Sequence, residues 1–355
     1  MDFMTVKEAA KKWNITQRRV VVLCSENRIE GAELIGKMWL IPKSAQQPQD
    51  YRITRFELRE DMSVKPFLKW AGGKSQILEI IRSKYPDELG DTITKYAEPF
   101  VGGGAVLFDV ISRYKISNVY ISDINRELIQ TYIAIRDNFK ELVVYLKSLE
   151  TMYLSANDDV RKEFYYKSRE RFNVLKSINS ESVEIAALFI FLNRTCFNGL
   201  YRVNSHGAFN VPQGSYKNPT ICDERNLFTV SEKLYGVKIV CADYTESRNF
   251  IDENTFVYFD PPYRPLTATA SFTSYAENVF GDKEQTELAN FFDKMSKRGA
   301  YILASNSDPK NADEKDVFFD RLYARHKITR INASRAINSV GSSRGKIHEL
   351  LICNA

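Results

Sequence analysis

Five short runs of apolar, β-favouring residues alternate with helical stretches along this chain, and that alternation restricts the fold more than any other feature. The runs are KYAEPFV, NVYISD, VKIVCAD, TFVYFD and AYILASN. Strands that alternate with helices predict a parallel sheet with helices on both faces. We therefore predict an α/β fold that begins at about residue 63.

The length of 355 residues and a hydrophobic content of 44% predict two or three globular units. A helix-rich block interrupts the alternation, and residues 43–62 are polar and aperiodic, as in a linker. The predicted units are a small amino-terminal domain over 1–50, a linker over 51–62, a main domain over 63–135 and 231–355, and an inserted module over 136–230.

The first fifty residues contain two short helical patterns followed by an alternating segment. Thr5 and Glu8 are spaced as a capping box for the first helix, and Thr16 is placed to cap the second. The segment IEGAELIGKMWLIP then alternates and turns at Gly31 and Gly36, as a small β wing does. This unit resembles the winged helix-turn-helix of excisionase and MerR-type DNA-binding modules. The alternative is an adaptor that binds protein.

Charge and cysteine spacing exclude several classes of protein. The net charge of +5 permits a polyanionic partner such as nucleic acid. Five cysteines without a C-x-x-C pair predict neither a structural zinc site nor a disulfide framework. The sequence has no run of 18 apolar residues and no signal peptide, so we expect a soluble, cytoplasmic protein without a membrane partner. Three histidines and no nucleophile elbow argue against a Ser-His-Asp hydrolase.

A glycine-rich turn follows the first predicted strand, in the segment AEPFVGGGAVLF. Gly102, Gly103 and Gly104 allow the backbone to approach a ligand, and the helix that follows presents its amino end to it. The segment is neither the dinucleotide G-x-G-x-x-G nor a P-loop. It therefore predicts a ligand site without identifying the ligand.

The second predicted strand ends in VYISDIN. Its Asp123 occupies the position, about twenty residues past a glycine turn, at which doubly wound folds place a carboxylate on ribose hydroxyls. The alternative role is a cap for the helix INRELIQTYIAIRDN, and the two roles are compatible. We favour ribose binding because of the preceding glycine turn.

The run TFVYFD leads into D-P-P-Y, residues 260–263. In an open parallel sheet the carboxyl ends of strands border the ligand crevice, so Asp260 is predicted to project into it. Pro261 and Pro262 fix the turn and remove competing backbone donors. A carboxylate beside a proline carbonyl suits a planar amino group that donates two hydrogens, and Tyr263 offers an aromatic face to a base. The alternative is an ordinary surface turn.

These motifs, in this order, resemble the D12 class, alpha group, of N6-adenine DNA methyltransferases typified by the Dam adenine methylase. The resemblance covers about residues 64–353 and rests on FLKWAGGK, EPFVGGGAVLF, SDIN, NGLYRVNSHGAFNVPQG, CADY, DPPY and RAINSVGSSRGKIHELLICN. It implies a Rossmann-like methyltransferase sheet with an inserted helical DNA-recognition domain. It also implies methyl transfer from S-adenosylmethionine to adenine N6 in double-stranded DNA, with the base rotated out of the helix.

The resemblance also implies roles for individual residues. The implied catalytic residues are Asp260, Pro261, Pro262 and Tyr263. The implied cofactor-binding residues are Trp70, Lys74, Glu98, Pro99, Phe100, Gly102, Gly104, Asp123, Asp243 and Tyr244. The implied DNA-contacting residues are Lys69, Phe197, Asn198, Leu200, Arg202 and Pro212. No metal ligand is implied.

The segment NRTCFNGLYRVNSHGAFNVPQG is similar to the recognition hairpin of this family. Arg202 is implied to read guanine, a bidentate contact worth about 1–3 kcal/mol of discrimination. Phe197 and Asn198 are implied to insert beside the displaced base, and Leu200 and Pro212 to lie near a thymine methyl group. The alternative is an exposed hairpin whose Arg202 only reaches into solvent.

Residues 161–172, RKEFYYKSRERF, mix basic and aromatic side chains. Most stretches of this kind are solvated helix faces, and we favour that interpretation here. The alternative is contact with DNA phosphates.

Several other activities are compatible with a pocket of this kind. Cytosine N4, RNA or a protein glutamine would be methylated by similar chemistry, but cytosine enzymes tend to carry Ser and glutamine enzymes Asn at the position of Asp260. An RNA enzyme would lack the NGLYR hairpin. A DNA-binding regulator with a non-catalytic methyltransferase fold is an alternative of another class. For the target we favour GATC, with a longer site such as GATATC as the alternative.

Overall fold

The computed structural model describes residues 3–13, 17–25, 29, 31–36, 38–46, 64–264, 280–334 and 346–354. The chain divides into two compact units, Met1–Met62 and Ser63–Ala355. The predicted cap at Thr16 and the predicted linker over 51–62 lie outside the described residues. Residues 335–345 of the last sequence motif lie outside them as well.

The smaller unit combines two helices with a three-stranded antiparallel sheet of order β1-β3-β2. Its elements are β1 (Phe3–Thr5), α1 (Val6–Trp13), α2 (Gln17–Ser25), β2 (Glu33–Ile35) and β3 (Met38–Pro42). The predicted capping box is present, because the Thr5 amide donates to Glu8 Oε2 at 2.7 Å and the Glu8 amide donates to Thr5 Oγ1 at 3.3 Å. The predicted wing corresponds to the β2–β3 hairpin, whose Gly36 has a φ of +64°.

Apolar side chains from both helices and from the sheet form one core in this unit. Its buried members are Met4, Ala9, Ala10, Trp13, Val20, Leu23, Cys24, Ile29 and Ile41. The helical spacing seen in the sequence is therefore the spacing of the residues that α1 and α2 bury. Strand β1, which the sequence pattern did not predict, contributes Met4 to this core and pairs with β3.

The larger unit is built on a seven-stranded mixed sheet. Its strands are β4 (Lys95–Glu98), β5 (Asn118–Asp123), β6 (Lys238–Cys241), β7 (Thr255–Phe259), β8 (Tyr301–Ser307), β9 (Lys327–Ser334) and β10 (Lys346–Cys353). Their order is β6-β5-β4-β7-β8-β10-β9. The strands from β6 to β8 in this order are parallel, and β10 runs antiparallel to both β8 and β9. All five predicted strands are present, and the parallel sheet gains an antiparallel edge.

Nine α-helices are described in the larger unit, together with four short 3-10 helices. The α-helices are α3 (Leu78–Arg82), α4 (Ala105–Arg113), α5 (Arg126–Asp137), α6 (Phe139–Ser155), α7 (Asp158–Ser177), α8 (Val183–Thr195), α9 (Glu224–Lys233), α10 (Asp282–Ser296) and α11 (Phe318–Leu322). Helix α8 contacts α5, α6 and α7, so the helix-rich block packs against the helix that follows β5. Helix α9 runs through residue 230, where the sequence pattern placed the end of the inserted module.

Alternate residues of the central strands pack on opposite faces of the sheet. On β7, Phe256 and Tyr258 join one buried cluster, while Val257 and Phe259 join the other. The first cluster also contains the buried apolar residues of α6, α7 and α8. The helices of the predicted insertion thus share a continuous core with one face of the sheet.

The strand order reverses between β4 and β7. From β4 the chain continues to β5 and β6 on one side, and β7 resumes on the other side of β4. Open sheets of this type bind ligands at the carboxyl ends of their strands beside such a reversal. Glu98 ends β4 and Asp260 follows β7, so these two carboxyl groups border the crevice.

Candidate active site at the edge of the sheet

Four polar residues follow one another across the carboxyl edge of the parallel strands. Glu98 ends β4, Asp260 follows β7, Ser305 lies on β8 and Glu349 lies on β10. Paired residues on neighbouring strands share a face, and so do alternate residues of one strand. The strand register therefore places all four on the face that the inserted helices cover. This row of polar residues forms the centre of the candidate site.

The Asp260 carboxylate is held by two donors. Lys74 Nζ lies 2.8 Å from Asp260 Oδ1, and Ser305 Oγ donates to the same oxygen at 2.7 Å. Tyr258 OH in turn donates to Ser305 Oγ at 3.0 Å. Among the described residues Oδ2 of Asp260 accepts no hydrogen bond, and 21% of the side chain is exposed. Asp260 therefore keeps one acceptor for a donor that enters the crevice.

Lys74, which the family resemblance implies to be a cofactor residue, has its ammonium group at this carboxylate. Its side chain is only 4% exposed, and Nζ also donates to the Gly72 carbonyl at 2.7 Å. A buried ammonium group is stable only when it is paired and hydrogen-bonded, as this one is. Lys74 thus places its ammonium group directly beside the Asp260 carboxylate.

The proline pair of the D-P-P-Y turn is held by a hydrogen-bond chain from buried polar side chains. Pro261 is buried and Pro262 is exposed. Gln285 Nε2, on α10, donates to the Pro262 carbonyl at 3.0 Å, and Asn306 Nδ2 donates to Gln285 Oε1 at 3.0 Å. An ordinary surface turn has no such buried support, so these contacts disfavour that alternative.

Tyr263 is anchored at its ring and at its hydroxyl group. Lys74 Nζ lies 4.7 Å from the ring centre, and Tyr263 OH donates to Glu349 Oε2 at 2.7 Å. Burial raises the pKa of Tyr263 well above its ordinary value. The phenol therefore stays protonated and continues to donate at neutral pH.

Glu98 is a buried carboxyl group at the end of β4. Its exposure is 2%, and Tyr96 OH donates to Oε2 at 2.6 Å. Burial raises the pKa of Glu98 well above its ordinary value; the Tyr96 hydrogen bond opposes this, and the negative charge of Asp260 adds to it. These effects favour the neutral carboxyl group, and a cation brought next to it would favour the carboxylate.

The glycine turn joins β4 to α4 and packs against Trp70. Gly102 has a φ of +46° and Gly104 a φ of +72°, where residues with a side chain are strained. A Cβ on Gly102 would lie 2.8 Å from Trp70 Nε1, and a Cβ on Gly104 would lie 2.5 Å from Tyr132 OH. The amino end of α4 lies at this edge of the sheet, where the Leu107 amide donates to the Glu98 carboxyl group.

The Asp123 carboxylate joins the end of β5 to the glycine turn. Its Oδ2 accepts from the Gly102 amide at 3.1 Å, and its Oδ1 accepts from the Asn125 amide at 2.9 Å. The cap of α5 is Asn125, whose side chain accepts from the Leu128 amide. The alternative prediction, that Asp123 itself caps this helix, is therefore wrong. Ile124 beside it is 61% exposed and adds an apolar surface that the sequence analysis overlooked.

The remaining residues with an implied cofactor role divide between the core and the surface. Tyr244 is buried, and its ring stacks on that of Phe100 with 5.4 Å between centroids. Pro99 is also buried. Asp243 is exposed, and its carboxylate accepts from the Thr245 amide at 3.0 Å. Tyr244 therefore supports Phe100 from the core, whereas Asp243 faces solvent.

Lys69 and Trp70 lie between the glycine turn and the predicted recognition hairpin. The Trp70 ring lies nearly parallel to the Tyr201 ring, at 6.1 Å and 21°. Lys69 Nζ lies 3.8 Å from the centre of the Tyr216 ring. This segment thus contacts the implied cofactor region on one side and the predicted hairpin on the other.

Asn193, on α8, ties this segment to the hairpin. It accepts from the Lys69 amide at 2.8 Å and donates to the Lys69 carbonyl at 2.7 Å. It also donates to the Gly199 carbonyl at 2.9 Å. One buried amide side chain therefore holds both segments in place.

The residues with an implied DNA-contacting role, Lys69 aside, lie on the segment after α8, which begins with a short 3-10 helix at Phe197–Gly199. The exposed members are Phe197, Asn198, Arg202 and Pro212, and Leu200 is half-buried. The Phe197 amide donates to the Pro212 carbonyl at 2.9 Å, which brings the two ends of the segment together. Arg202 Nε donates to Asn210 Oδ1 at 2.7 Å. Among the described residues the two terminal amino groups of Arg202 make no hydrogen bond, so they face solvent from a fixed position.

Helix α7 carries the basic and aromatic stretch 161–172. Arg161 donates to three backbone carbonyl groups. Lys167 and Arg171 are each paired with a glutamate. These pairings favour the structural interpretation over contact with phosphates.

Sequence reasoning missed four polar residues that contact the predicted ones. They are Asn193, Gln285, Ser305 and Glu349. Glu349 stands in a motif of the resemblance without an assigned role, and Asn193 and Gln285 lie on helices where polar residues are unremarkable. Ser305 offered the one usable signal, because a hydroxyl group inside a buried strand requires a partner.

Within the described ranges, no group of three or more His, Cys, Asp or Glu side chains is arranged to hold a metal ion. None of the helices in that part of the chain combines the length and apolar character needed to cross a membrane.

Comparison with known proteins identifies relatives over the larger unit. A profile of the family described as D12 class N6 adenine-specific DNA methyltransferase matches residues 70–337. The type II methyltransferase M.MjaIII of Methanocaldococcus jannaschii is 50% identical over 295 residues, covering 82% of this chain and 100% of that protein. The type II methyltransferase M1.LlaDCHI of Lactococcus lactis subsp. cremoris is 36% identical, with coverages of 83% and 97%. The DNA adenine methylase of Escherichia coli is 35% identical, with coverages of 81% and 94%.

Proposed function

The chain belongs to the D12 class of N6 adenine-specific DNA methyltransferases, and on that premise we propose that it methylates an adenine rotated out of the duplex into the crevice beside Asp260. The chain is an adenine-specific DNA methyltransferase, and its likeness to named type II enzymes suits a restriction-modification role. Cytosine, RNA and protein glutamine are thereby disfavoured as substrates, and so is a regulator without activity.

One observation carries the proposal: the contacts that the described residues make to the Asp260 carboxylate all go to Oδ1, which leaves Oδ2 at the reversal point of the sheet. A duplex hides the amino group of adenine, so the base must leave the stack, at a cost of a few kcal/mol. Tyr263 then provides the stacking face that replaces the neighbouring bases. Its ring and hydroxyl group are already anchored, so this face needs little reorganisation.

Family membership implies S-adenosylmethionine as the methyl donor, and the residues described here fit such a cofactor. Any side chain on Gly102 would fill the space beside Trp70, so the turn is shaped for close approach of a ligand to its backbone. Asp123, at the end of β5, stands where a ribose is held in related folds. When bound, the cofactor supplies a methyl group on a positively charged sulfur. We assign its binding to Trp70, Lys74, Glu98, Pro99, Phe100, Gly102, Gly104, Asp123, Asp243 and Tyr244.

The chain's own residues prepare the adenine amino group for attack. We infer that this group donates to Asp260 Oδ2 and to the Pro261 carbonyl, which favours the pyramidal nitrogen whose lone pair is free to react. Positive charge that develops on the nitrogen is stabilised by the carboxylate. Lys74 Nζ lies 2.8 Å from Asp260 Oδ1, so it holds the oxygen that does not face the incoming amino group.

Replacement of Asp260 by alanine tests this assignment. Methyl transfer to duplex DNA should fall by at least about 100-fold, the loss typical of a removed charge-stabilising group, while binding of S-adenosylmethionine measured by calorimetry persists. Asp137→Asn is a matched control, because Asp137 is a carboxylate on α5 paired with Arg136. Near-normal transfer of labelled methyl groups by Asp260→Ala would show that Asp260 does not have this role.

For the target we propose GATC, read by the segment after α8 within a recognition domain over 136–230. The fixed, exposed Arg202 is suited to a bidentate contact with guanine, and Phe197 and Asn198 are suited to fill the space of the displaced base. We assign Lys69, Leu200 and Pro212 to the same interface. A longer site such as GATATC is the second candidate.

Sequencing of methylated DNA from a methylation-free host identifies the modified base and its context together. Arg202→Ala should relax the preference for guanine by about 1–3 kcal/mol, roughly 5- to 150-fold. Lys162→Ala is the control, because it removes an exposed cation of α7 outside the predicted hairpin and should leave the preferred sequence unchanged. An unchanged sequence preference in Arg202→Ala would remove this residue from the recognition set.

For the smaller unit we propose a winged helix-turn-helix over residues 1–50 that binds DNA. Its two helices and its β2–β3 hairpin have the elements of such a module. We assign residues 63–135 and 231–355 to the catalytic domain.

A further inference from the structure

Two polar residues lie directly behind the D-P-P-Y turn on neighbouring strands. Ser305 is fully buried on β8, and Glu349 is half-buried on β10. Strand β10 runs antiparallel to β8, and Glu349 is paired with Ser307. Ser305 and Ser307 are alternate residues, so Ser305 and Glu349 share a face of the sheet. From this face Ser305 contacts Asp260 and Glu349 contacts Tyr263.

Ser305 has a single hydrogen to donate, and the structure determines where it goes. Its oxygen accepts from Tyr258 OH at 3.0 Å, so the serine hydrogen is directed to another acceptor. That acceptor is Asp260 Oδ1, at 2.7 Å. Together with Lys74 on the same oxygen, this bond fixes the plane of the carboxylate and the direction of Oδ2.

Glu349 has the corresponding contact with the aromatic residue of the turn. It accepts from Tyr263 OH at 2.7 Å, the short distance of a charge-assisted hydrogen bond. Lys74 lies 4.7 Å from the centre of the ring, and the Glu349 contact adds a second anchor at the hydroxyl end. A contact at the far end of the ring holds its tilt, because the ring and its hydroxyl group move as one rigid body.

We propose that Ser305 and Glu349 are positioning residues that orient the Asp260 carboxylate and the Tyr263 ring relative to each other. An adenine stacked on the ring has its amino group in the plane of the base, so ring tilt and carboxylate direction must match for both contacts to form at once. A mismatch of about 1 Å costs on the order of 100-fold in rate. This inference rests on the proposed function and specifies two further residues of the same site.

A double-mutant cycle tests Glu349. Tyr263→Phe removes the hydroxyl group, Glu349→Leu removes its acceptor, and Glu349→Gln keeps an acceptor oxygen. We expect kcat to fall about 10- to 100-fold in Tyr263→Phe and in Glu349→Leu, with KM for DNA nearly unchanged and Glu349→Gln within about threefold of the wild type. The combination of Tyr263→Phe with Glu349→Leu should lose no more than either alone, because the two changes remove one contact.

A fluorescence measurement separates positioning from loss of folding. Duplex DNA with 2-aminopurine at the target adenine becomes brighter when the base leaves the stack and is quenched by an aromatic ring against it. Tyr263→Phe and Glu349→Leu should both alter this signal at saturating protein, whereas Glu349→Gln should not. Should Glu349→Leu fail to fold, Tyr263→Phe compared with Glu349→Gln still decides the question, since an unaltered kcat in Tyr263→Phe overturns the inference for Glu349.

Ser305 is tested with Tyr258→Phe as its control. Ser305→Ala removes the donor to Asp260, whereas Tyr258→Phe removes the neighbouring bond and leaves that donor in place. We expect Ser305→Ala to lower kcat about 10-fold or more and Tyr258→Phe to lower it less. In the Asp260→Ala background, which has no acceptor for Ser305, Ser305→Ala should produce no further loss of the residual activity.

The outcomes distinguish this inference from the function on which it rests. If Asp260→Ala is inactive while Ser305→Ala and Glu349→Leu both retain normal kcat, the positioning role is wrong and the active site stands. If Asp260→Ala retains normal kcat, the proposed active site itself is wrong.

Discussion

At residue 104 the backbone adopts a left-handed conformation in a place with no room for a side chain. A Cβ there would lie 2.5 Å from Tyr132 OH and 3.0 Å from Phe108. The sequence alone predicted that glycines here allow close approach. The structure adds that at Gly104 the crowding comes from the protein's own aromatic side chains.

Gly104→Ala should therefore cost stability and cofactor binding together. The left-handed conformation alone costs an alanine about 1–2 kcal/mol, and overpacking adds about 1–3 kcal/mol. The free energy of unfolding in urea and the Kd for S-adenosylmethionine are the measurements. Gly236→Ala is the matched control, because Gly236 has a φ of +76° with nothing within 4 Å of a Cβ. It should show only the conformational cost, and equal effects of the two changes would contradict the argument.

Burial of Glu98 predicts a dependence of stability on pH. Its folded-state pKa lies well above the ordinary value of 4.5, so in the range above pH 4.5 the unfolded chain loses this proton while the folded chain retains it. The contribution of Glu98 to stability is complete below pH 4.5 and declines as pH rises, until the folded pKa is passed.

Glu98→Gln should remove this decline, because glutamine does not titrate and its carbonyl oxygen still accepts from Tyr96. Compared with the wild type, the variant should become progressively more stable as pH rises above 4.5, with the smallest difference in acid. Urea unfolding at several pH values provides the measurement. A constant difference across this range would show that Glu98 has an ordinary pKa.

At the scale of elements, helix α8 joins the segment around Lys69 to the predicted recognition hairpin through one side chain. Asn193 bonds the amide and carbonyl groups of Lys69 and the carbonyl group of Gly199. Helix α9 offers an exposed counterpart, because Asn226 bonds both backbone groups of Lys65 in the same manner. The two asparagines differ in burial and in the third bond.

Asn193→Ala should cost about 1–3 kcal/mol, the penalty for leaving buried backbone groups without partners, and should weaken DNA binding because the hairpin loses its tie to Lys69. Asn226→Ala should cost less than about 1 kcal/mol, since water replaces its contacts. Thermal unfolding and binding to a target duplex distinguish the two. Equal losses in both variants would argue against a special role for the α8 contact.

Element-scale features show where sequence patterns succeed. All five predicted strands are present. Four of them, β4, β5, β7 and β8, bury apolar residues in the sheet, whereas β6 lies at its edge and is exposed or half-buried throughout. The pattern missed the antiparallel strands β9 and β10, and its predicted end of the inserted module, residue 230, falls within helix α9. Strand β10 pairs with β8 across the intervening chain, and the inserted helices share a core with the sheet. Neither feature is visible in a local sequence pattern.

At the scale of the whole molecule, the family match begins at residue 70, and the smaller unit has a core of its own. The match to M.MjaIII includes the whole of that protein but only 82% of this chain. We therefore expect a chain that lacks residues 1–62 to fold and to methylate DNA.

The proposed DNA-binding role of the smaller unit makes a second prediction for this shortened chain. If the unit binds phosphates, its removal should weaken DNA binding and reduce the salt dependence by about 0.9 in slope for each phosphate that it neutralises. Titrations of the full and shortened chains at several salt concentrations provide the comparison. Identical affinities and slopes would favour the alternative in which this unit binds protein.

The sequence by itself determined the strand and helix alternation, the glycine turn and the D-P-P-Y motif, and the match to the family agrees with the class of enzyme that these motifs implied. It succeeded because apolar periodicity and short motifs are local properties of the chain. Only the tertiary structure decided that Lys74 pairs with Asp260 and that Ser305 and Glu349 stand behind the turn. The physical reason is that a polar side chain acquires its role from its nearest partner, and these partners come from strands and turns far apart in the chain.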